Sequence, residues 1–172
     1  MQNLIQRLNC IRDRDDAYQL QFVLQDIYNR LRSQCLTSAG LVIKTVGSPL
    51  AKAGSIIYAT AKGVIIKKAA NTDMAALSGT VTNAMFNVFV FSVNSAGTLF
   101  TQMGTEGASL AAVRWPDIDP ERAIIGFVII NPTGTGNFVG GTTDLDDATV
   151  APNAAYVNVQ GAFDPTAYTG LT

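Results

Sequence analysis

The chain has 172 residues, of which 48% are apolar and only 15% charged. A chain of this length buries roughly two-thirds of its unfolded surface, so a folded core is expected and a disordered polar chain is excluded. Twelve Lys and Arg against thirteen Asp and Glu leave a net charge of −1, so no nucleic-acid partner is expected. The chain has no histidine, which excludes catalysis by a Ser-His-Asp or Cys-His group and histidine metal sites.

The N-terminus and the cysteines bear on the cellular compartment. The first ten residues mix apolar side chains with Gln, Arg and Asn, unlike the continuous apolar run of a signal peptide. The apolar stretches Met85–Val93 and Ala123–Ile130 are far shorter than the roughly 20 residues that span a bilayer, so no membrane partner is expected. Cys10 and Cys35 are expected to be free thiols in a protein made in the cytoplasm, because a disulfide would require the N-terminal segment to fold back on itself.

Composition divides the chain near Thr37–Gly40. Residues 1–36 contain no glycine and no proline, whereas the rest holds all 15 glycines and all 6 prolines. Spaced apolar residues without glycine favour helix, and β-branched runs punctuated by glycine favour strands. The predicted fold is therefore mainly β: an antiparallel β-sandwich or barrel, jelly-roll-like, over residues 37–172, with an N-terminal α-helical arm over residues 1–36.

The arm is predicted to contain two helices. Leu4, Leu8 and Ile11 recur at spacings of four and three residues, which places them on one apolar stripe. After a charged run, Asp16 with Gln19 three residues later is typical of a capping box, so the second helix is expected to begin there.

The second helix carries apolar residues on two opposed faces. Its main stripe is roughly 140° wide at 100° per residue, and Tyr18 and Phe22 lie on the opposite side. Such a helix either packs against two partners, for example its own domain and a neighbouring subunit, or is a single amphipathic helix with two half-exposed aromatic side chains. An a/d-like run within the stripe is too short to predict a coiled coil by itself. The stripe consists of Ala17, Leu20, Val23, Leu24, Ile27, Tyr28 and Leu31.

Short strands alternate with turn signals after residue 40. Phe89 and Phe91 lie on one face of the strand ending at Val93, and Val88 and Val90 lie on the other. This strand is predicted to be central, covered on one face by a second sheet and on the other by the helix or another subunit. The loop at residues 94–97 predicts a hairpin between the strands on either side of it. The strands Ala123–Ile130 and Asn137–Gly140 are predicted to form a second hairpin. The other predicted strands are Leu41–Val46, Ser55–Thr60, Val64–Lys68, Thr98–Met103, Ala123–Ile130, Asn137–Gly140 and Ala155–Val159.

Charge is unevenly distributed along the β domain. Residues 37–100 carry five lysines and one aspartate, a sum of +4, and residues 101–172 carry two arginines and eight acids, a sum of −6. Opposed patches of this kind can dock one copy against the next. The alternative is an ordinary solvated surface.

Four features of the sequence resemble chemical sites, and each has a simpler structural interpretation. Gly134, Gly136 and the pair Gly140-Gly141 suggest a phosphate cradle but lack the Walker lysine, which favours a hairpin loop. Trp115 could stack on a sugar, but a single Trp before a proline favours an anchor at the edge of the core. Two acidic groups suggest calcium or paired catalytic carboxylates, but surface loops explain them more simply. The acids are Asp117, Asp119, Glu121, Asp144, Asp146 and Asp147.

Four segments resemble the virion structural proteins of tailed bacteriophages. Ser92–Gly107, which reads SVNSAGTLFTQMGTEG, resembles a strand ending in VNxxGT that leads to a strand ending in GTEG or GTEA. Pro116–Ile130 resembles a proline-bearing connection followed by an IGxVxV strand. Gly136–Leu145 resembles an xFxxGTTxL segment, and Ala155–Asn158 a closing TYVN-like strand. The resemblance covers roughly residues 60–160.

The resemblance implies a capsid decoration, or cement, protein on the outer surface of the virion. Its expected partners are the major capsid protein and two further copies of itself in a homotrimer. No catalytic residue, metal or cofactor is implied, so the expectation is a non-enzyme. The arm is expected to form the interface through Leu4, Leu8, Ile11, Tyr18 and Phe22.

Two other functions remain open from the sequence. In the first, the protein is a head- or tail-fibre or adhesin module that contacts a host surface. In the second, it is a small carbohydrate-active or calcium-binding protein that uses Asp117, Asp119 and Asp144.

Overall fold

The computed structural model describes residues 14–131, 134–151 and 154–163, with the side chains of residues 14–16 left aside. The fold is mainly β, with 36% strand and 13% helix, antiparallel sheets and one N-terminal helix, which confirms the predicted fold class. Helix α1 spans Arg14–Leu31. The strands are β1 Gln34–Cys35, β2 Leu41–Ile43, β3 Ala51–Ala53, β4 Ile57–Ala61, β5 Val64–Lys68, β6 Thr80–Val81, β7 Asn87–Val93, β8 Leu99–Met103, β9 Ala123–Ile130, β10 Phe138–Val139 and β11 Ala155–Asn158, with a 3₁₀ turn at Leu110–Ala112.

The described strands form four antiparallel sheets. The largest has the order β11-β9-β7-β8, and a three-stranded sheet has the order β1-β4-β5. Two small pairs, β2-β3 and β10-β6, complete the set. Because β9 contacts both β1 and β4, the two larger sheets pack against each other as a sandwich. The described strands do not close into a barrel.

Strand β7 lies at the centre of the molecule, and all seven of its residues are buried. Phe89 and Phe91 point into the main core between the sheets, whereas Val88 and Val90 point into a second hydrophobic cluster, as the alternation predicted. The cover over this second face was predicted wrongly. It is the chain's own connection between β8 and β9 and its C-terminal end, rather than the helix or another subunit, because the connection contributes Val113, Ile118 and Trp115 and the C-terminal end Val159 and Phe163.

One of the two predicted hairpins is confirmed and the other is wrong. Strands β7 and β8 form the predicted hairpin, in which Gly97 adopts a φ of 79°. The predicted hairpin of β9 and β10 is wrong, since Phe138–Val139 pairs with Thr80–Val81 instead. Both edges of β9 are occupied, one by β7 and the other by β11, so β10 has no free partner there.

The N-terminal boundaries also differ from the expectation. Helix α1 is already helical at Arg14, so Asp16 lies inside it and is not its N-cap. The first strand begins at Gln34 and pairs with β4, so sheet structure starts before residue 37. Cys10 and the first predicted helix, with Leu4, Leu8 and Ile11, lie outside the described residues.

Candidate functional site: an uncovered helix

The main feature of the surface is the apolar side of α1. Seven of its large apolar side chains are exposed: Tyr18 60%, Phe22 68%, Val23 55%, Leu24 45%, Ile27 48%, Tyr28 52% and Leu31 59%. In a globular domain the apolar stripe of a helix normally faces the core. Here both the stripe and the opposite aromatic pair, Tyr18 and Phe22, face solvent. Within the described residues, the stripe is exposed from Val23 to Leu31, whereas Leu20 is half-buried.

Near the C-terminal end of α1, polar residues are better covered than the apolar residues around them. Asp26, Asn29 and Arg30 are half-buried, whereas every apolar residue from Phe22 to Leu31 is exposed. Arg30 Nε donates a hydrogen bond of 2.8 Å to Asp26 Oδ2 within one helical turn. Gln19, Gln21 and Gln25 are exposed as well, so the helix exposes both polar and apolar residues, unlike a helix whose apolar stripe faces the core of its own domain. The apolar surface is therefore suited to contact another molecule.

The C-terminal end of α1 is fixed to the β domain by a short connection. The backbone N–H groups of Arg32 and Ser33 bond to the last turn of the helix, and Gly63 N donates to Arg32 O at 3.0 Å. Ser33 Oγ accepts from Lys62 N at 3.2 Å, and the Arg32 guanidinium donates to Lys62 O. The same guanidinium lies over the Tyr28 ring, 4.9 Å from its centroid. These bonds attach the C-terminal end of α1 to the tight turn between β4 and β5.

The aromatic pair forms a distinct apolar spot on the other side of α1. The ring centroids of Tyr18 and Phe22 lie 5.9 Å apart, with the ring planes at 47°. Gln21 and Gln25 stand beside the rings and line a shallow concavity with them. Aromatic rings with polar neighbours are common anchors in protein interfaces. The structure thus brings together the two aromatic interface residues that the sequence singled out.

A second exposed apolar area lies on the outer face of the three-stranded sheet, and sequence reasoning missed it. We name it the outer-sheet patch: Leu36 is 53% exposed, Ile56 44%, Tyr58 38% and Ile65 73%. Lys67 pairs with Tyr58 across β4 and β5, and its ammonium lies 5.7 Å from the ring centroid. The alternation in β4, with Ile57, Ala59 and Ala61 buried, was the available signal for this face.

The acidic residues between β8 and β9 serve separate structural roles. Glu121 Oε2 lies 2.6 Å from Lys62 Nζ, and Asp119 pairs with Arg122 at 3.7 Å. Asp119 Oδ1 also accepts a hydrogen bond from the Glu121 backbone N–H at 2.9 Å. Asp117 is exposed and accepts a bond from Gln102 through its backbone oxygen. The carboxylates of Glu121 and Asp119 therefore point to different cations, and Asp117 is bonded through its backbone oxygen.

The second acidic group organises a turn. Asp146 accepts hydrogen bonds of 3.1 Å at both carboxylate oxygens from the Gly47 backbone N–H. Bonds from the backbone N–H groups of Val150 and Thr149 lower the pKa of Asp147. In the described part of the chain, no three His, Cys, Asp or Glu side chains are grouped so that they could hold a metal ion.

The glycine-rich loop is bound to its own chain. Asn83 Nδ2 donates to Gly134 O at 3.1 Å, and Asn83 Oδ1 accepts from Gly136 N at 3.3 Å. Gly140 lies against the backbone of Leu77, where a Cβ would come within 3.0 Å of the carbonyl carbon. The backbone amides at Gly136 and Gly140 are thus used within the fold, since Gly140 N bonds to Gly79 O.

Trp115 is the core anchor that the sequence favoured. Its ring meets Phe127 edge-on with centroids 4.8 Å apart, and Phe163 with centroids 5.5 Å apart. Its Nε1 is buried without a hydrogen-bond partner among the described residues. The indole ring therefore packs within the second hydrophobic cluster.

The GTEG segment has an evident structural role. Glu106 accepts bonds of 2.7 Å from both the backbone N–H and the hydroxyl of Thr82, and these bonds lower the pKa of its carboxyl. A Cβ on Gly104 would lie 2.5 Å from the backbone oxygen of Arg114, and one on Gly107 would lie 2.6 Å from a backbone carbon. Both glycines are needed because two chain segments approach closely there.

The charge asymmetry along the sequence is partly neutralised within the fold. Lys62, from the basic half, pairs with Glu121 from the acidic half, and Lys44 pairs with Asp73 at 2.5 Å. Exposed pairs of this kind contribute about 0–1 kcal/mol each. The Lys62–Glu121 pair neutralises one charge from each half, whereas the Lys44–Asp73 pair lies within the basic half and leaves its sum of +4 unchanged.

Cys35 is a free, buried thiol, and burial raises its pKa. Among the described helices, none is long and apolar enough to cross a bilayer.

Comparisons with protein-family models, with curated proteins and with solved structures each gave no match to this chain.

Proposed function

We propose that this chain is a structural virion protein that binds the outer surface of a phage capsid and stabilises it, as a homotrimeric cement or decoration protein. The observation that carries the proposal is the exposed apolar surface of α1, which fits an assembly element better than a helix of a free monomer. The segment resemblance of residues 60–160 supplies the viral context.

The physical demands on such a protein agree with the features of α1. A decoration protein binds a repeated lattice, where several modest contacts sum to durable attachment. Each copy therefore needs an apolar surface that stays exposed until it meets its partner. The seven exposed side chains supply one, and the fixed connection at Arg32 and Ser33 holds the end of the helix in a defined place.

The test is the copy number of this chain relative to the major capsid protein, measured by quantitative mass spectrometry on purified particles. The proposal predicts a ratio near one or a simple fraction set by the lattice. Absence from particles would contradict it.

The second candidate is a fibre or adhesin module. The outer-sheet patch favours it, because an exposed face bearing Tyr58 and Lys67 could meet a host surface while α1 anchors the protein. A handful of copies per particle would identify this function in place of the first.

A further inference from the structure

We infer that the outer edge of β5 is a docking site for an extended acidic segment of another protein, which adds to the three-stranded sheet as a fourth strand. The segment that fits this edge has acidic residues at one end and apolar residues at the other. The inference concerns a surface separate from α1 and does not depend on the proposed function.

The backbone of β5 has one side without a partner. Leu36 N donates to Tyr58 O at 2.8 Å, so the backbone groups of Tyr58 point toward β1. Tyr58 pairs with Lys67, and in an antiparallel ladder this pair therefore exchanges no hydrogen bonds. The N–H and C=O of Lys67, and by alternation those of Ile65, point away from β4. Among the described residues, no backbone group bonds to them from that side.

The opposite edge of the same sheet is covered, whereas the edge of β5 is open. Gly161 N donates to Cys35 O at 2.8 Å, so the C-terminal part of the chain lies against β1. On β5, Val64 is 49% exposed and Ile65 is 73% exposed. An uncovered edge strand is a template for pairing with another chain.

The charge around the open edge is positive. Among the described residues, no ion pair joins Lys67 or Lys68 to a carboxylate, whereas Lys44 and Lys62 pair with Asp73 and Glu121. Lys67 and Lys68 therefore carry charges that a partner can neutralise. Residues 27–72 contain no Asp or Glu, but they contain Arg30, Arg32, Lys44, Lys52, Lys62, Lys67 and Lys68.

The two ends of β5 differ in chemistry, and this difference defines the segment that fits. Val64 and Ile65 form an apolar N-terminal end, and Lys67 and Lys68 form a basic C-terminal end. A strand added antiparallel, as in the other pairs of this sheet, brings its first residues beside the lysines and its last residues beside Val64 and Ile65. Opposite charges and β-branched side chains on neighbouring strands stabilise their pairing. Acidic residues followed by β-branched residues are therefore favoured.

A second copy of β5 fits this edge less well than an acidic segment does. Two β5 edges paired antiparallel would gather Lys67 and Lys68 of both copies along one joint, with no acidic residue in either strand. Lysine on an edge strand is a common means by which proteins prevent such self-pairing. The two lysines thus oppose pairing between copies and favour an acidic partner.

The experiment measures the binding of a fluorescent hexapeptide, three glutamates followed by three valines, to the full chain by fluorescence anisotropy. One control peptide has lysine in place of glutamate. A second control carries N-methyl groups on its backbone amides, which removes the hydrogen-bond donors and keeps the charge. Among protein variants, Lys67→Gln with Lys68→Gln changes the edge, and Lys44→Gln with Lys52→Gln removes the same charge elsewhere. Thermal unfolding checks that both variants remain folded.

We expect the glutamate peptide to bind and its affinity to fall with added salt. The Lys67 and Lys68 variant should bind it about fivefold more weakly, because exposed ion pairs each contribute little, and the Lys44 and Lys52 variant should bind it as the unmodified protein does. Both control peptides should bind much more weakly. In nuclear magnetic resonance spectra, the amide signals of Ile65 and Lys67 should shift most on binding.

Three results would overturn the inference: no binding of the glutamate peptide, equal binding of the N-methylated peptide, or an equal loss of affinity in both variants. A dimer of the unmodified protein that Ile65→Pro separates would also overturn it, because a second copy would then occupy the edge. Ile65→Pro removes an N–H that points away from β4, so the pairing within the sheet is kept. None of these results bears on the proposed function, which the copy number in particles tests.

Discussion

Tyr156 provides a test of how a buried hydroxyl group affects the free energy of unfolding. The residue lies in β11 opposite Val128 and packs against the main core. Its hydroxyl is buried and has no hydrogen-bond partner among the described residues. Burial, with a smaller contribution from the charge of Asp146, raises the pKa of Tyr156 to about 12. The ionised form is therefore disfavoured in the folded protein.

The Tyr156→Phe variant removes this hydroxyl and leaves the ring in place. A buried polar group without a partner costs about 1–3 kcal/mol, so we expect the free energy of unfolding at pH 7 to stay the same or to rise by about 1 kcal/mol. The raised pKa means that the native protein keeps its full stability below the unfolded pKa of 10.0 and loses stability as the pH rises toward 12. A shift of this size corresponds to about 3 kcal/mol, which partial solvent exposure of the side chain reduces to about 1–2 kcal/mol.

Urea unfolding at pH 7 and at several values between pH 9.5 and pH 11.5 measures both effects. The unmodified protein should lose stability over this range more steeply than Tyr156→Phe. Tyr58→Phe, which removes a hydroxyl from the outer-sheet patch, is the control and should follow the unmodified protein. The reasoning would be refuted if Tyr156→Phe lost more than about 1 kcal/mol at pH 7, because the hydroxyl would then have a partner.

Three further predictions concern the fold and its division. Gly104→Ala places a methyl group 2.5 Å from a backbone oxygen, so it should lower the free energy of unfolding by about 1–3 kcal/mol, whereas Gly136→Ala, with its nearest contact at 3.7 Å, should change it little in the same urea titration. Because hydrogen bonds from Thr82 lower the pKa of Glu106, this carboxylate stabilises the protein above pH 4.5 and the stability is lost as the pH falls through its lower folded pKa. The Glu106→Gln variant should therefore lose less stability between pH 5 and pH 3, and an acid titration parallel to that of the unmodified protein would count against this role. Removal of residues 1–31 should leave the β domain folded, since the apolar side of α1 does not pack on it; loss of the thermal transition would show otherwise.

The sequence predicted the central part of the fold because local pattern and burial agree there. The run of β7 has apolar residues on both faces, and the structure buries both. In contrast, β10 was assigned to β9 because the two are neighbours in sequence. Its true partner, β6, is a two-residue strand more than fifty residues earlier in the chain, and local pattern carries no signal for such a pairing.

Strand β3 was missed for a related reason. Its residues are Ala51, Lys52 and Ala53, which lack the β-branched and aromatic side chains that mark strands. Pairing with Leu41–Ile43 and burial of the two alanines determine its conformation. Tertiary context, rather than intrinsic preference, fixes this segment.

The candidate site was predictable in part. Tyr18 and Phe22 were identified because they interrupt the polar side of a helical pattern, and the structure leaves both exposed. The exposure of the main stripe was not predictable, since the same pattern normally indicates burial on the parent domain. Only the three-dimensional structure shows that the stripe from Val23 to Leu31 is left uncovered by the residues it describes.

The central claim is that other chains cover α1 in the assembled protein. Hydrogen–deuterium exchange of the backbone amides of residues 17–31 tests it directly, with the protein compared at high dilution and in assembled particles. The account predicts fast exchange in the dilute chain, because the helix alone is marginal, and strong protection in the assembly. Equal exchange in the two states, with the β domain protected in both, would contradict it.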